Sequence, residues 1–424
     1  MRVLLISPNR EEINMRTLPL GLACVAAATQ KAGHDVVLTD LMETEDPSGT
    51  VHQIIEDFRP EAVGLSVRNV DDQKMTPSRF LLDQTKEIVS LCRGLSEAPI
   101  ILGGAGYSIF PERGLTYLGG DMGIQGEGEA LFPLLLDRLS RHEDLAGFPG
   151  LYLPERGLQG QRTFIPKLED LPWSEAFSWF RFNKPIQDYW VTVQTRRGCP
   201  MRCSYCSTET IEGRSIRRRD PRAVAEDLAA QMKAGVEQFY FTDNTFNLPP
   251  DYAKQLCREI KEVKGRARWR GIIYPGKIDP ALARAMAESG CVEVSIGFES
   301  GSPGILRSLN KFFNLKEVRR TFEILGDYGI RRMGFLLLGG PGETKETVRE
   351  SLEFADSLPL EALKVTAGIR IYPQTLLEGT ALLEGTINRE TNLLFPTYYL
   401  AKGLEDWLMP TVTEWLRARP HWMM

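Results

Sequence analysis

Three of the chain's seven cysteines, Cys199, Cys203 and Cys206, fall within eight residues, in the run TRRGCPMRCSYCS. The spacing is C-x3-C-x2-C. Three thiolates held that close ligate three irons of a four-iron cube and leave the fourth iron without a protein ligand. That open corner suits a small molecule that coordinates through amino and carboxylate groups. A zinc site needs a fourth Cys or His, and the histidines of the chain, His34, His52, His142 and His421, are all distant in sequence. A bacterial ferredoxin uses a tighter C-x2-C-x2-C run with a remote fourth cysteine. Cys24, Cys92, Cys257 and Cys291 lie in apolar segments and read as small buried core residues. An odd count with one tight cluster suits a reducing compartment and a metal centre better than a disulfide framework.

The elements that must position this loop form two rhythms. From residue 190 the strand candidates are WVTVQT (190–195), QFYFTD (238–243), WRGIIY (269–274), VEVSIG (292–297), MGFLLLG (333–339) and ALKVTAGIRIY (362–372). Each of the first five is followed by a helical segment, and Asp220 with Pro221 is placed to start the first crossover helix. Six such units predict a partial (β/α) barrel over 190–375, with its chemistry at the strand carboxyl ends. The cysteine loop follows directly on the first of these strands.

Upstream, VLLIS (3–7), DVVLT (35–39), AVGLSV (62–67), PIILGG (99–104) and DMGIQG (121–126) alternate with helix-like stretches such as 20–32 and 78–95. Near-continuous apolar strands in that rhythm predict a doubly wound parallel sheet over 1–140, with ligands beyond its carboxyl edge. Residues 141–189, rich in Pro, Gly and aromatics, read as a packed connector. Residues 376–424 read as short helices, with Trp407, Trp415 and Trp422 forming a packed lid or core rather than a substrate cage.

At the cysteine loop the chain resembles the radical S-adenosylmethionine superfamily, whose C-x3-C-x-aromatic-C signature is matched by Cys199, Cys203, Tyr205 and Cys206. The resemblance implies a 4Fe-4S cluster whose unique iron is chelated by S-adenosylmethionine. It further implies reductive cleavage of that cofactor to methionine and a 5′-deoxyadenosyl radical. Asp243, Asn244 and Thr245 occupy the family's cofactor amino-group position, although the usual Gly-Gly-Glu is absent there. Ser295 and Glu299, in SIGFESGS, resemble residues that hold the ribose and methionine portions, with close backbone approach at Gly297 and Gly301. Gly339, Gly340 and Pro341 resemble the family's adenine-side strand. The run Arg214, Arg217, Arg218 and Arg219 reads by default as a solvated positive face, and binding of an anionic ligand is the functional alternative.

The first domain has no G-x-G-x-x-G in its opening turn, SPNREEINMRTLPLG, which argues against a dinucleotide site. It also lacks D-x-H-x-x-G, whose histidine would be a lower cobalt ligand. It resembles instead the cobalamin-binding domains fused to radical S-adenosylmethionine enzymes. The residues that carry the likeness are Pro19, Leu20 and Gly21 at the first helix, Ser66, Arg68 and Asn69 after the third strand, Gly103 and Gly104 after the fourth, and Gly126 and Gly128 after the fifth. Small residues at successive strand ends leave room for a buried nucleotide tail. Without the histidine, cobalamin is expected base-off. The pairing implies a methyltransferase acting on an unactivated carbon, or on phosphorus. Cyclisation, ring contraction or rearrangement with the same cofactors is the alternative, and a cobalamin or redox sensor without turnover is the third reading.

The bulk composition restricts little beyond this. The chain has 424 residues, 42% of them hydrophobic, and 51 basic against 56 acidic residues, for a net charge of −5. That balance offers no global reason to bind nucleic acid. The amino-terminal apolar run is too short for a secretory signal, and no run approaches the length of a membrane span, so a cytoplasmic location is expected. The expected partners are a small or lipid-like substrate and an external electron donor such as flavodoxin or ferredoxin.

Overall fold

The computed structural model describes residues 1–11, 16–263, 265 and 267–424. The chain divides into two compact units. One comprises Met1–Asp72, Arg79–Pro185 and Thr208–Gly213; the other comprises Gln73–Ser78, Ile186–Ser207 and Arg214–Met424. Most of the expected connector, up to Pro185, therefore belongs to the first unit.

The first unit is built on a seven-stranded sheet. Its strands are β1 (Arg2–Ser7), β2 (Asp35–Asp40), β3 (Ala62–Ser66), β4 (Ile100–Gly103), β5 (Met122–Ile124), β6 (Leu151–Leu153) and β7 (Gly157–Leu158), in the order β2-β1-β3-β4-β5-β6-β7. The first five strands pair in parallel. Buried Val3, Leu4, Leu5 and Ile6 lie at the centre of this core, because a strand covered by helices on both faces must be apolar on both. The order 2-1-3-4-5 is doubly wound, with its topological switch point between β1 and β3. The antiparallel strands β6 and β7 were not foreseen. They come from the Pro/Gly-rich connector and are only three and two residues long, too short to carry a periodic signal.

The second unit holds a fully parallel sheet in strict chain order: β8 (Trp190–Val193), β9 (Gln238–Phe241), β10 (Arg268–Ile273), β11 (Cys291–Glu299), β12 (Arg331–Leu338), β13 (Ala362–Ala367) and β14 (Trp422–Met423). Helical crossovers join β8 through β13, as a partial (β/α)6 barrel requires. Asp220, Asp279, Asn314 and Thr344 cap four of the crossover helices through their side chains. Burial alternates along β11: Val294, Ile296 and Phe298 pack under the helices, while Glu293, Ser295, Gly297 and Glu299 share the other face. The sixth predicted strand breaks at Gly368, whose φ is 78°. Beyond it the carboxyl-terminal region is not purely helical. It contains helices Leu376–Leu383 and Leu408–Arg417, a two-residue strand paired with Ile369–Arg370, and β14, which extends the sheet beside β13. Among the described residues no helix is long and apolar enough to cross a membrane.

Candidate active site

The chain leaving β8 is fastened before it reaches the cysteines. Asp243, fully buried after β9, accepts from the Thr195 amide at 2.7 Å, the Thr195 hydroxyl at 2.6 Å and the Arg196 amide at 3.2 Å. The Arg196 guanidinium completes the set, with Nε 3.3 Å from Asp243 Oδ2. Arg196 is itself buried; it donates to the Leu248 carbonyl and stacks over the Tyr252 ring at 4.5 Å. The sequence reading put Asp243 beside the cofactor's amino group. In the structure its Oδ1 accepts from the Thr195 and Arg196 amides, and its Oδ2 accepts from the Thr195 hydroxyl and pairs with the Arg196 guanidinium, so it also anchors the backbone that feeds the cysteine loop. Asn244 and Thr245 follow on the same turn, half-buried and buried respectively.

Cys199 and Cys203 are half-buried and Cys206 is exposed, on a loop closed by a Cys206 amide to Cys203 carbonyl bond of 3.2 Å. Three further bonds brace the loop. The Ser204 amide donates to the Leu309 carbonyl at 3.1 Å, the Leu377 amide to the Ser204 carbonyl at 2.8 Å, and the Asn310 side chain to the Arg202 carbonyl. Among the described residues no three His, Cys, Asp or Glu side chains converge on a site for a single ion. A four-iron cluster needs no such convergence, because each thiolate binds its own iron. Three thiols on one half-exposed loop, with no fourth ligand in the motif, fit that cluster.

Glu299 ends β11 with φ 61°, a left-handed backbone rare for a non-glycine residue. Its carboxylate accepts from the Tyr205 hydroxyl at 2.9 Å and from the Lys311 ammonium at 3.1 Å, and Lys311 also donates to the Tyr205 hydroxyl at 2.9 Å. Burial pushes the Tyr205 phenol well above its usual range, with the Glu299 charge adding to it. Gly297 makes room for this carboxylate: a Cβ there would stand 2.5 Å from Glu299 Oε1. Ser295 lies two residues earlier on the same face of β11. Gly301 serves something else. A Cβ on it would strike Phe354, the Glu350 carbonyl and Ser351, so its small size admits the helix Lys345–Asp356 rather than a cofactor.

At the end of β12, Gly339 (φ 95°) and Gly340 turn their amides onto one oxygen of Glu343. The other Glu343 oxygen is buried with no hydrogen-bond partner. Burial pushes this carboxyl up from its ordinary 4.5 to about 7, against the lowering pull of the two amides. The Pro341 carbonyl is taken by the Ser308 hydroxyl at 2.9 Å. The sequence reading missed Lys311, Arg196 and Glu343. Glu343 had a readable signal, a lone acid closing a glycine turn, but Lys311 had none.

In the first unit the carboxyl edge of the sheet is shaped by backbone. Gly104 has φ 97°, and a Cβ on it would meet the Val67 carbonyl at 2.6 Å and the Ser66 hydroxyl at 2.9 Å. Gly103 has nothing nearer than 3.9 Å and Gly21 nothing within 4 Å, so both leave open space. Arg68 donates to the Thr17 hydroxyl at 2.9 Å and Asn69 to the Asn9 side chain at 3.2 Å; all four residues lie beside the switch point of β1 and β3. Arg68 and Asn69 also line a small cleft with Asn9, Arg10 and Gln84. Pro19 and Leu20 open the helix Leu20–Lys31. Gly126 (φ 102°) lies against the Arg162 side chain, and Gly128 starts the helix Gly128–Ser140 against Val25. Residues 12–15 of the opening turn lie outside the described residues. His34 starts the sheet from its amino end, with Nδ1 3.4 Å from the amino-terminal nitrogen. A carboxyl edge walled by bare backbone at Gly21, Gly103 and Gly104 fits a bulky nucleotide-bearing cofactor.

Comparison with known proteins finds a family model for each of two stretches of the chain. A model of the radical SAM superfamily matches residues 193–355, and a model of the B12-binding domain matches residues 6–136. The chain is 27% identical to an uncharacterized methyltransferase of Pyrococcus horikoshii, covering 89% of this chain and 82% of that one. It is 25% identical to the tryptophan 2-C-methyltransferase of Streptomyces laurentii, covering 88% and 73%. Among solved structures, the radical S-adenosylmethionine methyltransferase TsrM from Kitasatospora setae, with cobalamin and a [4Fe-4S] cluster bound, superposes with a TM-score of 0.81. It is 25% identical, covering 91% of this chain and 75% of its own. The chain thus combines a B12-binding domain with a radical SAM domain and is similar to cobalamin-dependent radical SAM methyltransferases.

The arginine run departs from the sequence reading. The four arginines after the cysteine loop do not form one solvated face. Arg214 and Arg218 are exposed and Arg217 is half-buried, whereas Arg219 is buried and paired with Asp227. The cause is local: Arg217–Arg218 pairs antiparallel with Arg196–Arg197, which turns Arg219 inward beneath Tyr252. Trp415 and Trp422 pack at 5.1 Å, with Arg419 stacked on Trp415 and bonded to Asp356 of the Lys345–Asp356 helix.

Proposed function

We propose that this protein methylates an unactivated carbon or a phosphorus centre in a small or lipid-like molecule. The carrying observation is that one chain joins a B12-binding domain to a three-thiol loop at the first strand end of a parallel (β/α)6 sheet. Cys199, Cys203 and Cys206 would hold the 4Fe-4S cluster, and Tyr205, Asp243, Asn244, Ser295, Glu299 and Gly339 would line the place for S-adenosylmethionine. Pro19, Leu20, Gly21, Ser66, Arg68, Asn69, Gly103, Gly104, Gly126 and Gly128 would border cobalamin, held base-off with no histidine below the cobalt. When bound, these groups supply a reducing electron, a methyl source and a cobalt centre that carries the methyl group. The chain's own residues place them: Asp243 and Arg196 hold the loop in one position, and the glycine edge admits the cofactor without side chains in the way. The reductant is an external carrier such as flavodoxin or ferredoxin, in the cytoplasm.

The test is anaerobic reconstitution followed by incubation with methyl-labelled S-adenosylmethionine, cobalamin, reductant and small-molecule extract. The expected product gains one labelled methyl group. A product that consumes S-adenosylmethionine without gaining mass would establish cyclisation or rearrangement instead. Cys203→Ala is expected to lose cluster absorbance and all deoxyadenosine formation, and retention of both would defeat the site assignment. Base-off binding predicts cob(II)alamin spin resonance without nitrogen superhyperfine splitting.

A further inference from the structure

The segment that follows β11 grips the cysteine loop at consecutive points. Leu309 accepts from the Ser204 amide, Asn310 donates to the Arg202 carbonyl, and Lys311 donates to the Tyr205 hydroxyl. Residues 202, 204 and 205 are all within or next to the span from Cys203 to Cys206. Lys311 is the unusual member, because its side chain is 5% exposed and its neighbour Glu299 is 12% exposed. A buried ammonium costs several kcal/mol unless it is compensated. Here Glu299 and Tyr205 use two of its three donors. The bond to the Tyr205 hydroxyl fixes the ammonium on the side chain of the residue next to Cys206.

We propose that Lys311 is a positioning residue that sets the reduction potential of the cluster held by Cys203. Its fixed positive charge stabilises the extra negative charge of the one-electron-reduced state. The inference rests on the cluster reading above. One electron, delivered by an external reductant, takes the cluster from its 2+ to its 1+ core. A cation held in a low-dielectric pocket on Tyr205, the neighbour of the ligand Cys206, favours the reduced form. Glu299 opposes this effect with its own charge while anchoring the ammonium. The clamp at Leu309 and Asn310 keeps the distance constant.

The test is a reductive titration of the reconstituted full-length protein, followed by spin resonance without S-adenosylmethionine, with iron and sulfide measured on each sample. Lys311→Gln should move the midpoint to more negative potential by about tenfold in the one-electron equilibrium, about 59 mV. Glu299→Gln keeps the ammonium and removes its counter-charge, so its midpoint should move the other way. Lys311→Arg should return most of the wild-type value. A cluster-loaded Lys311→Gln protein with the wild-type midpoint overturns the proposal. If that variant holds no cluster, an unmoved Glu299→Gln midpoint overturns it equally. Wild-type protein without iron and sulfide would instead defeat the cluster reading itself.

Discussion

The two units prepare their ligand sites by opposite means. In the second, the loop is held by buried charges: Asp243 against Arg196 on one side, Glu299 against Lys311 on the other. In the first, the edge of the sheet is made by leaving side chains out, at Gly21, Gly103 and Gly104. Charge suits a cluster loop, which must hold a few thiolates at fixed places and tune an electron's energy. Bare backbone suits a large cofactor, whose bulk leaves little room for side chains. The two designs should therefore fail differently.

The largest effect is expected from Asp243→Asn. It leaves Arg196 as a buried, uncompensated cation and weakens the acceptor for Thr195. Breaking such a pair costs about 3–5 kcal/mol. The denaturant midpoint of the second unit should fall, and the variant should retain less iron after reconstitution. An unchanged midpoint would mean that charge does not hold this loop. Next comes a pair of glycine changes in the first unit. Gly104→Ala places a Cβ against the Val67 carbonyl in a left-handed backbone, a strain and clash together of about 3 kcal/mol. Gly21→Ala, on a helix with open space, should instead stabilise the cofactor-free protein by about 0.5–1 kcal/mol. If Gly21 walls the cobalamin place, that same stabilised variant will bind cobalamin more weakly. Spectroscopic titration with cobalamin and thermal melts separate the two effects.

Glu343 is where the second unit leaves a charge half-satisfied. Its carboxyl titrates at about 7 in the fold against an ordinary 4.5. The folded chain therefore keeps a proton that the unfolded chain has lost as pH rises between those values. The penalty is absent below about pH 4.5 and complete above about pH 7. At 1.36 kcal/mol per unit it amounts to about 3 kcal/mol at most. Glu343→Gln still accepts from the Gly339 and Gly340 amides and carries no charge. Its melting temperature should exceed that of the wild type at about pH 8 and converge on it near pH 5. Parallel curves at both pH values would show that the unpartnered oxygen is solvated in solution.

Much of this was legible in the residues. The cysteine spacing, the chain-order parallel strands and the glycines at strand ends are local patterns, written within a few residues of each other. What escaped the reading depends on distant partners. The anchoring role of Asp243 shows only when Thr195 and Arg196 fold onto it, and Arg219 looks solvated until the Arg196–Arg197 strand pairs beside it. Gly301 looks like a cofactor wall until a helix fifty residues on fills the space.

By itself, then, the sequence determined which residues could bind metal and which segments alternate as strand and helix, because periodicity and thiol spacing are properties of neighbours along the chain. Only the tertiary structure decided which charges are buried together. Lys311 becomes significant solely because β11 ends in a left-handed Glu299 and the following segment runs back over the loop. The strength of a charge depends on the dielectric around it, and that is set by packing across the whole unit.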